Sequence, residues 1–367
     1  MYKLAFIGGS IESIAGYPHF IASQMDKRFE VITGVFSTHK TLNEETAKQW
    51  HIKRHYSNID TMLDKEKKNI DAVVILTPTP LHADTIIKIL ALKIPIICEK
   101  PLVSSLEDAE KIEKIIDKEK DFLVVTNNYS GYPMVRELKQ KIISHELGDI
   151  LNIRLKMPQE SFLRPPKSVK YPQKWRLHDE FIPGISLDLG SHLHHLAYFL
   201  TEIEPSKLLA SYQSFSKYNI IDDVNILLEY SNGMSGNMWL SKTALGNRNG
   251  LHIEIYGTKA SAMWHQENPE ILEFSYNNGQ KVILDRGSNI EMQPNQLYNR
   301  MTPGHPSGFI ESFANLYNDI ADALDNFHDD KKYTNQYVYG FNHALNGIKL
   351  LHTASLSNKQ KNYKDIF

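Results

Sequence analysis

A single cysteine, Cys98, stands in this chain of 367 residues. That excludes an intramolecular disulfide and argues against a structural thiolate zinc site, so a reducing compartment, the cytoplasm, is the expected setting. Long hydrophobic runs are missing too. No stretch approaches the roughly 20 apolar residues of a membrane span, and the apolar run ahead of Gly8-Gly9 is too short for the core of a signal peptide. Nor is either sign of charge in excess. With 41 Lys and Arg against 43 Asp and Glu, the formal net charge of -2 offers no basic field to nucleic acid or an anionic membrane, and neither is expected as a partner. Lysine clusters such as Lys65 to Lys68 alternate with acids and read as solvated helix faces.

What is present suits a globular enzyme-sized chain. A 41% hydrophobic and 23% charged composition can bury a sizeable core, and the length suits two domains. Leu4 to Ile7, Val31 to Phe36, Asp71 to Leu76, Pro95 to Cys98 and Phe122 to Thr126 read as strands. Between them, Ile86, Ile87, Leu90 and Ala91, then Ile112, Ile115 and Ile116, recur at helical spacing, the second set behind a cap at Ser104 or Ser105. Alternating strands and helices predict an α/β fold, a doubly wound parallel sheet, over 1–128. The rhythm then changes. Leu208 to Gln213, Val224 to Tyr230, Met234 to Lys242 and Leu251 to Tyr256 read as longer strands, with Ser231-Asn232-Gly233 as a hairpin turn. They predict a second α/β domain over 129–367 with an antiparallel or mixed sheet. A late amphipathic stretch, Ile310 to Leu324, reads as a core-facing helix.

The first strand runs into Gly8-Gly9-Ser10, the place where a Rossmann domain turns and aims a helix N-terminus at a pyrophosphate. The usual G-x-G-x-x-G is absent: Ser10 and Ser13 occupy the second and third glycine positions, and Gly16 comes later. Taken alone, the segment suits a plain strand-to-helix turn as well; its place at the head of the fold favours the nucleotide. The second strand ends Phe36-Ser37-Thr38-His39-Lys40, without the acid that would bind the ribose hydroxyls of NAD. Hydroxyls and a cation at Ser37 and Lys40 suit a 2′-phosphate, so NAD(P) is expected with a lean to NADP, against the alternative of an exposed loop holding no phosphate.

Three further segments carry chemistry. Thr77-Pro78-Thr79-Pro80-Leu81-His82 forms a proline-stiffened loop at the carboxyl edge of the parallel sheet, where ligands bind in such folds. Cys98-Glu99-Lys100-Pro101 brings a lysine to the same edge, and Asp188 and His192 stand four residues apart at the head of a helix. Asn127-Asn128-Tyr129 lies at the crossing into the second domain, where packing and ligand contact are equally good readings. Tyr171 to Arg176 places Trp175 beside Arg176, which suits a sugar face or an anionic group, and equally a core tryptophan with a surface ion pair.

Together, Thr77-Pro78 with His82, Glu99-Lys100-Pro101 and Asp188-x-Gly190-x-His192 resemble the glucose-fructose oxidoreductase / inositol dehydrogenase / MocA (Gfo/Idh/MocA) family, and the likeness extends through Asn232-Gly233, Tyr256-Gly257-Thr258-Lys259 and His305-Pro306 to Tyr317. The resemblance implies a Rossmann domain joined to an α/β domain with a large, mostly antiparallel open sheet that forms a homodimer or homotetramer. It implies hydride transfer between nicotinamide and an alcohol or carbonyl carbon of a sugar, inositol or nucleotide-linked sugar. Lys100 would polarise the substrate oxygen, His192 would accept its proton, and Asp188 would hold substrate and histidine. Histidine suits that task near neutral pH, and a cation favours the more anionic transition state. Expected at the cofactor are Gly8, Gly9, Ser10, Ser37, Lys40, Thr77, Pro78, His82, Glu99, Lys100 and Asn127. Expected at the substrate are Lys100, Tyr129, Trp175, Arg176, Asp188, His192 and His195, the last standing where many relatives carry Asp. No metal is expected despite His192, His194 and His195, because no cysteine or second carboxylate accompanies them at ligand spacing. The rival reading is a non-catalytic nucleotide-binding sensor of the same fold, which would have no reason to keep Lys100, Asp188 and His192 together. A second rival is an isomerase or hydrolase that oxidises its substrate only transiently.

Overall fold

Leu4, Ala5, Phe6 and Ile7 are at most 1% exposed. An unbroken apolar run of this kind needs cover on both sheet faces, and each large side chain so enclosed stabilises the fold by about 1.5–3 kcal/mol. In the computed structural model, which describes residues 1–165, 174–330 and 335–366, that run is β1 (Tyr2–Gly8). Beside it lie β2 (Phe29–Val35), β3 (Arg54–His55), β4 (Ala72–Leu76), β5 (Ile96–Glu99) and β6 (Leu123–Thr126). All pair in parallel, in the order β3-β2-β1-β4-β5-β6. This is the doubly wound order, with its direction reversing between β1 and β4, where the crevice for a ligand opens. The connecting helices are α1 (Gly16–Met25), α2 (Lys40–Gln49), α3 (Ile59–Glu66), α4 (His82–Leu90) and α5 (Leu106–Glu113). Ser105 caps α5 by accepting the Asp108 N–H at 3.1 Å.

The chain divides into two compact units, one of 1–131 with 309–345 and one of 132–308 with 346–367. The first unit therefore takes in 129–131 and a late segment that sequence reasoning grouped with the second domain. The late segment contains α8 (Phe309–Asp330), whose Phe313, Ala314, Tyr317, Ile320 and Leu324 share one core with Leu4, Phe6, Phe29 and Val74. The amphipathic stripe is as expected; the sheet it covers could not be read from it, because any apolar face suits any core.

The second unit holds α6 (Pro133–Ile143), α7 (Ser191–Thr201) and a nine-stranded sheet. Its strands are β7 (Ile150–Pro158), β8 (Lys207–Gln213), β9 (Asp223–Glu229), β10 (Ser235–Ser241), β11 (His252–Gly257), β12 (Ala260–His265), β13 (Leu272–Tyr276), β14 (Lys281–Leu284) and β15 (Lys364–Asp365). Their order is β14-β13-β12-β11-β7-β10-β9-β8-β15, antiparallel except where β10 meets β7. Alternation is clear: Val224, Ile226 and Leu228 are buried while Asn225 and Leu227 are exposed. One face is therefore covered and one is open. The last helix, α9, spans Phe341–Gln360. Among the described residues, no helix is long and apolar enough to cross a membrane.

Candidate active site

In the first unit, β1 ends at two glycines with φ of +81° and +74°, a backbone region closed to most side chains. A Cβ on Gly8 would fall 2.7 Å from the Leu76 carbonyl carbon, and one on Gly16 would fall 2.1 Å from the Gly9 oxygen. Gly16 thus lets the first turn of α1 seat on the loop, a part the expected glycine spacing did not assign to it. Ser13 Oγ accepts the Gly16 N–H at 3.2 Å, and Pro18 has no N–H, so the first turn of α1 offers fewer donors than usual. Recognition of a pyrophosphate then falls more heavily on the loop backbone around Gly9 and Ser10, the latter 7% exposed.

The loop after β4 has a different architecture. Thr77 Oγ1 is buried with no hydrogen-bond partner among the described residues. A buried hydroxyl left so is costly, and it lies beside Gly8 at the reversal point of the sheet, where a bound ligand would satisfy it. The glycine cradle and this orphaned hydroxyl fit a dinucleotide. Pro78 is exposed. His82, expected at the cofactor, is completely enclosed, with Nε2 2.8 Å from the Thr77 carbonyl and Nδ1 3.1 Å from that of Pro101. It ties the loop after β4 to the loop after β5, and burial lowers its basicity. At the end of β2, Ser37 Oγ accepts the His39 N–H at 3.1 Å, and the Lys40 ammonium is highly exposed, 3.9 Å from Glu44.

Glu99 closes β5 inside a network that sequence reasoning did not foresee. His19 Nε2 lies 2.9 Å from Glu99 Oε2, which also accepts the Thr126 hydroxyl at 2.5 Å, while His19 Nδ1 lies 2.8 Å from the Tyr317 hydroxyl. Burial pushes the Glu99 carboxyl up, but His19, Lys100 and Thr126 outweigh it and hold it below its ordinary value. Burial and the Glu99 charge push the Tyr317 phenol far up, so it stays a donor. With the Tyr317 O–H donating its hydrogen bond to Nδ1, Nε2–H is left to donate to Glu99. Lys100 follows, half-buried, with a cis bond to Pro101. Asn127 is buried and donates to the Val125 carbonyl at 3.4 Å; Tyr129 is buried with its ring 6.0 Å from that of Phe309.

In the second unit, a π-helical turn over Ser186–Gly190 carries Asp188 and runs into α7. Such turns interrupt the regular ladder and recur at functional sites. Asp188 Oδ2 is 3.0 Å from Arg176 Nη1 and 2.7 Å from Lys242 Nζ. Lys242, directly after β10, is a partner of Asp188 that sequence reasoning missed; a cation at the end of a predicted strand was its only signal. His192 is 6% exposed. His194, on another side of the helix, pairs with Glu204 at 2.9 Å. His195 is enclosed with its ring 5.8 Å from Phe199; burial, then the charges of His194 and Lys139, set its basicity far below the usual histidine value. Tyr171 and the side chain of Trp175 lie outside the described residues.

Comparison with known proteins agrees with this architecture. Residues 2–138 match the group described as "Oxidoreductase family, NAD-binding Rossmann fold", and residues 135–263 match the "GFO/IDH/MocA C-terminal domain". The chain is 29% identical to an uncharacterized oxidoreductase, YfiI, of Bacillus subtilis, covering 98% of this chain and 95% of that one. It is 26% identical to a glucose-6-phosphate 3-dehydrogenase of the same organism, over 74% and 76% of the two chains. Among solved structures, an inositol dehydrogenase homolog from Azotobacter vinelandii, complexed with NADH and myo-inositol, superposes with a TM-score of 0.89 at 26% identity, covering 99% and 97%. The chain belongs to the Gfo/Idh/MocA oxidoreductases, and its doubly wound nucleotide fold and mostly antiparallel second sheet are those of that family.

Proposed function

We propose that this oxidoreductase is an NAD(P)-dependent dehydrogenase of a sugar, inositol or nucleotide-linked sugar, oxidising a CH–OH carbon or reducing its carbonyl. The observation that carries the reading is the Asp188 carboxylate, gripped by two cations one turn ahead of His192. Gly8, Gly9, Ser10 and Thr77 would hold the dinucleotide, with Asn127 near its ring end, and a bound nicotinamide supplies the hydride acceptor or donor. Lys100 polarises the substrate oxygen, His192 takes the hydroxyl proton, and Asp188 orients both substrate and imidazole. Arg176 steadies Asp188, while Glu99 and His82 position the lysine and the loops around it. Ser37 and Lys40, with no acid at the end of β2, favour NADP over NAD.

The myo-inositol bound by the Azotobacter homolog and the sugar phosphate named for the Bacillus relative support a polyhydroxylated substrate. Leu227, Tyr256 and Ile283 are exposed on the second sheet and support a homodimer or homotetramer formed through it, and the buried Cys98 thiol suits a reducing compartment, the cytoplasm. A panel of polyols, aldoses, sugar phosphates and nucleotide sugars, assayed with both oxidised cofactors by nicotinamide absorbance, tests the reading. Reduction of NADP by at least one polyhydroxylated compound is expected. Binding of cofactor with no reduction by any member would favour the sensor instead.

A further inference from the structure

Lys242 enters the second unit's site from a direction that neither the Asp188 motif nor the Lys100 motif announces. Its main chain is fixed twice: its N–H donates to the Asp222 carbonyl at 2.8 Å, and its carbonyl accepts the Phe162 N–H at 3.0 Å. Its ammonium lies 5.5 Å from the centroid of the Phe162 ring and 2.7 Å from Asp188 Oδ2. The side chain is 12% exposed, against 31% for Arg176, which meets the same oxygen at 3.0 Å. Less water around a pair means a stronger electrostatic hold. Two cations meet this one carboxylate oxygen, arriving from the end of β10 and from the segment before Asp188, and so restrict the rotamers open to it.

We propose that Lys242 is a positioning residue of the reaction, acting through Asp188: it sets the rotamer of that carboxylate. The inference rests on the assignment of Asp188 to the active site. A double-mutant cycle over Lys242→Met and Asp188→Asn separates the two ideas. Methionine keeps an unbranched apolar side chain of similar reach while removing the charge, and melting temperature confirms that each variant folds. Lys242→Met should lower kcat roughly 10- to 100-fold, as small misplacements of reacting groups do, with the cofactor Kd unchanged. Lys242→Arg should restore most of the loss. In the Asp188→Asn background, Lys242→Met should cost little more, because residues acting through one another are not additive.

Wild-type kcat in Lys242→Met, or losses that multiply in the double variant, would overturn the role of Lys242 while leaving Asp188 in place. Wild-type turnover by Asp188→Asn alone would instead remove the site assignment beneath both.

Discussion

The two units hold their candidate site residues by different means. In the first, Glu99 and His82 are locked from inside by buried partners, His19, Tyr317 and Thr126 for one and main-chain carbonyls for the other. In the second, Asp188 is held by cations that reach it from surrounding loops and remain partly exposed. A buried hydrogen-bonded frame suits a cofactor that is the same in every turnover, whereas a charge clamp on loops suits a substrate pocket that varies between relatives on one scaffold. Disturbing the first frame should therefore appear in cofactor affinity as well as in the placement of Lys100, and disturbing the second in turnover alone.

The largest expected effect is on the chemistry itself. Lys100→Ala and His192→Ala should each lower kcat by about 10²- to 10⁴-fold, the range for removal of a proton-transfer or charge-stabilising group. Circular dichroism should show both variants folded; near-normal turnover in either would strip that residue of its role. Next is Gly16→Ala, whose methyl group would strike the Gly9 oxygen. Its cofactor Kd, read by fluorescence titration, should rise by roughly tenfold or more, since each 1.4 kcal/mol of displaced loop is tenfold, and unchanged affinity would show that the loop does not carry the pyrophosphate. Smaller again is Ser37→Asp, which places an acid at the ribose corner. The ratio of kcat/KM for NADP to that for NAD should fall several-fold, because a carboxylate repels a 2′-phosphate and accepts ribose hydroxyls; a constant ratio would place the discrimination elsewhere.

The smallest effect lies away from both sites. His252 on the second sheet stacks on His265 at 3.6 Å, and burial first, then His265 and Lys156, lowers its pKa from 6.5 to about 4. The folded state then binds fewer protons than the unfolded chain between those values, so stability is lost as pH falls through that window. Melting temperature should drop over that range in the wild type and less steeply in His252→Gln; identical slopes would assign the acid sensitivity to other groups.

Legibility followed the same division. The strands Leu4 to Ile7 and Ala72 to Leu76 could be read directly, because burial on both faces leaves an unbroken apolar run. Their order around Gly8-Gly9 gave the nucleotide fold. Strands β12 to β14 escaped notice because an open face interrupts them with residues such as Ser261, Glu273 and Lys281, and periodicity over four to six residues is short. The Asp188 and His192 pair is local and could be seen. Lys242 is 54 positions from Asp188, and His19 is 80 from Glu99. Pairs that meet only through tertiary packing leave no spacing in the sequence, and the same reason hid which sheet α8 covers.

The most direct test of the central claim follows the hydrogen itself. A polyol or sugar found to be turned over is prepared with deuterium on its reacting carbinol carbon, and the reduced cofactor is examined by NMR. Deuterium on the nicotinamide ring, with turnover slowed by the label in wild-type protein, is the predicted result. Deuterium appearing in solvent, with the ring carrying only protium, would contradict hydride transfer from a CH–OH carbon.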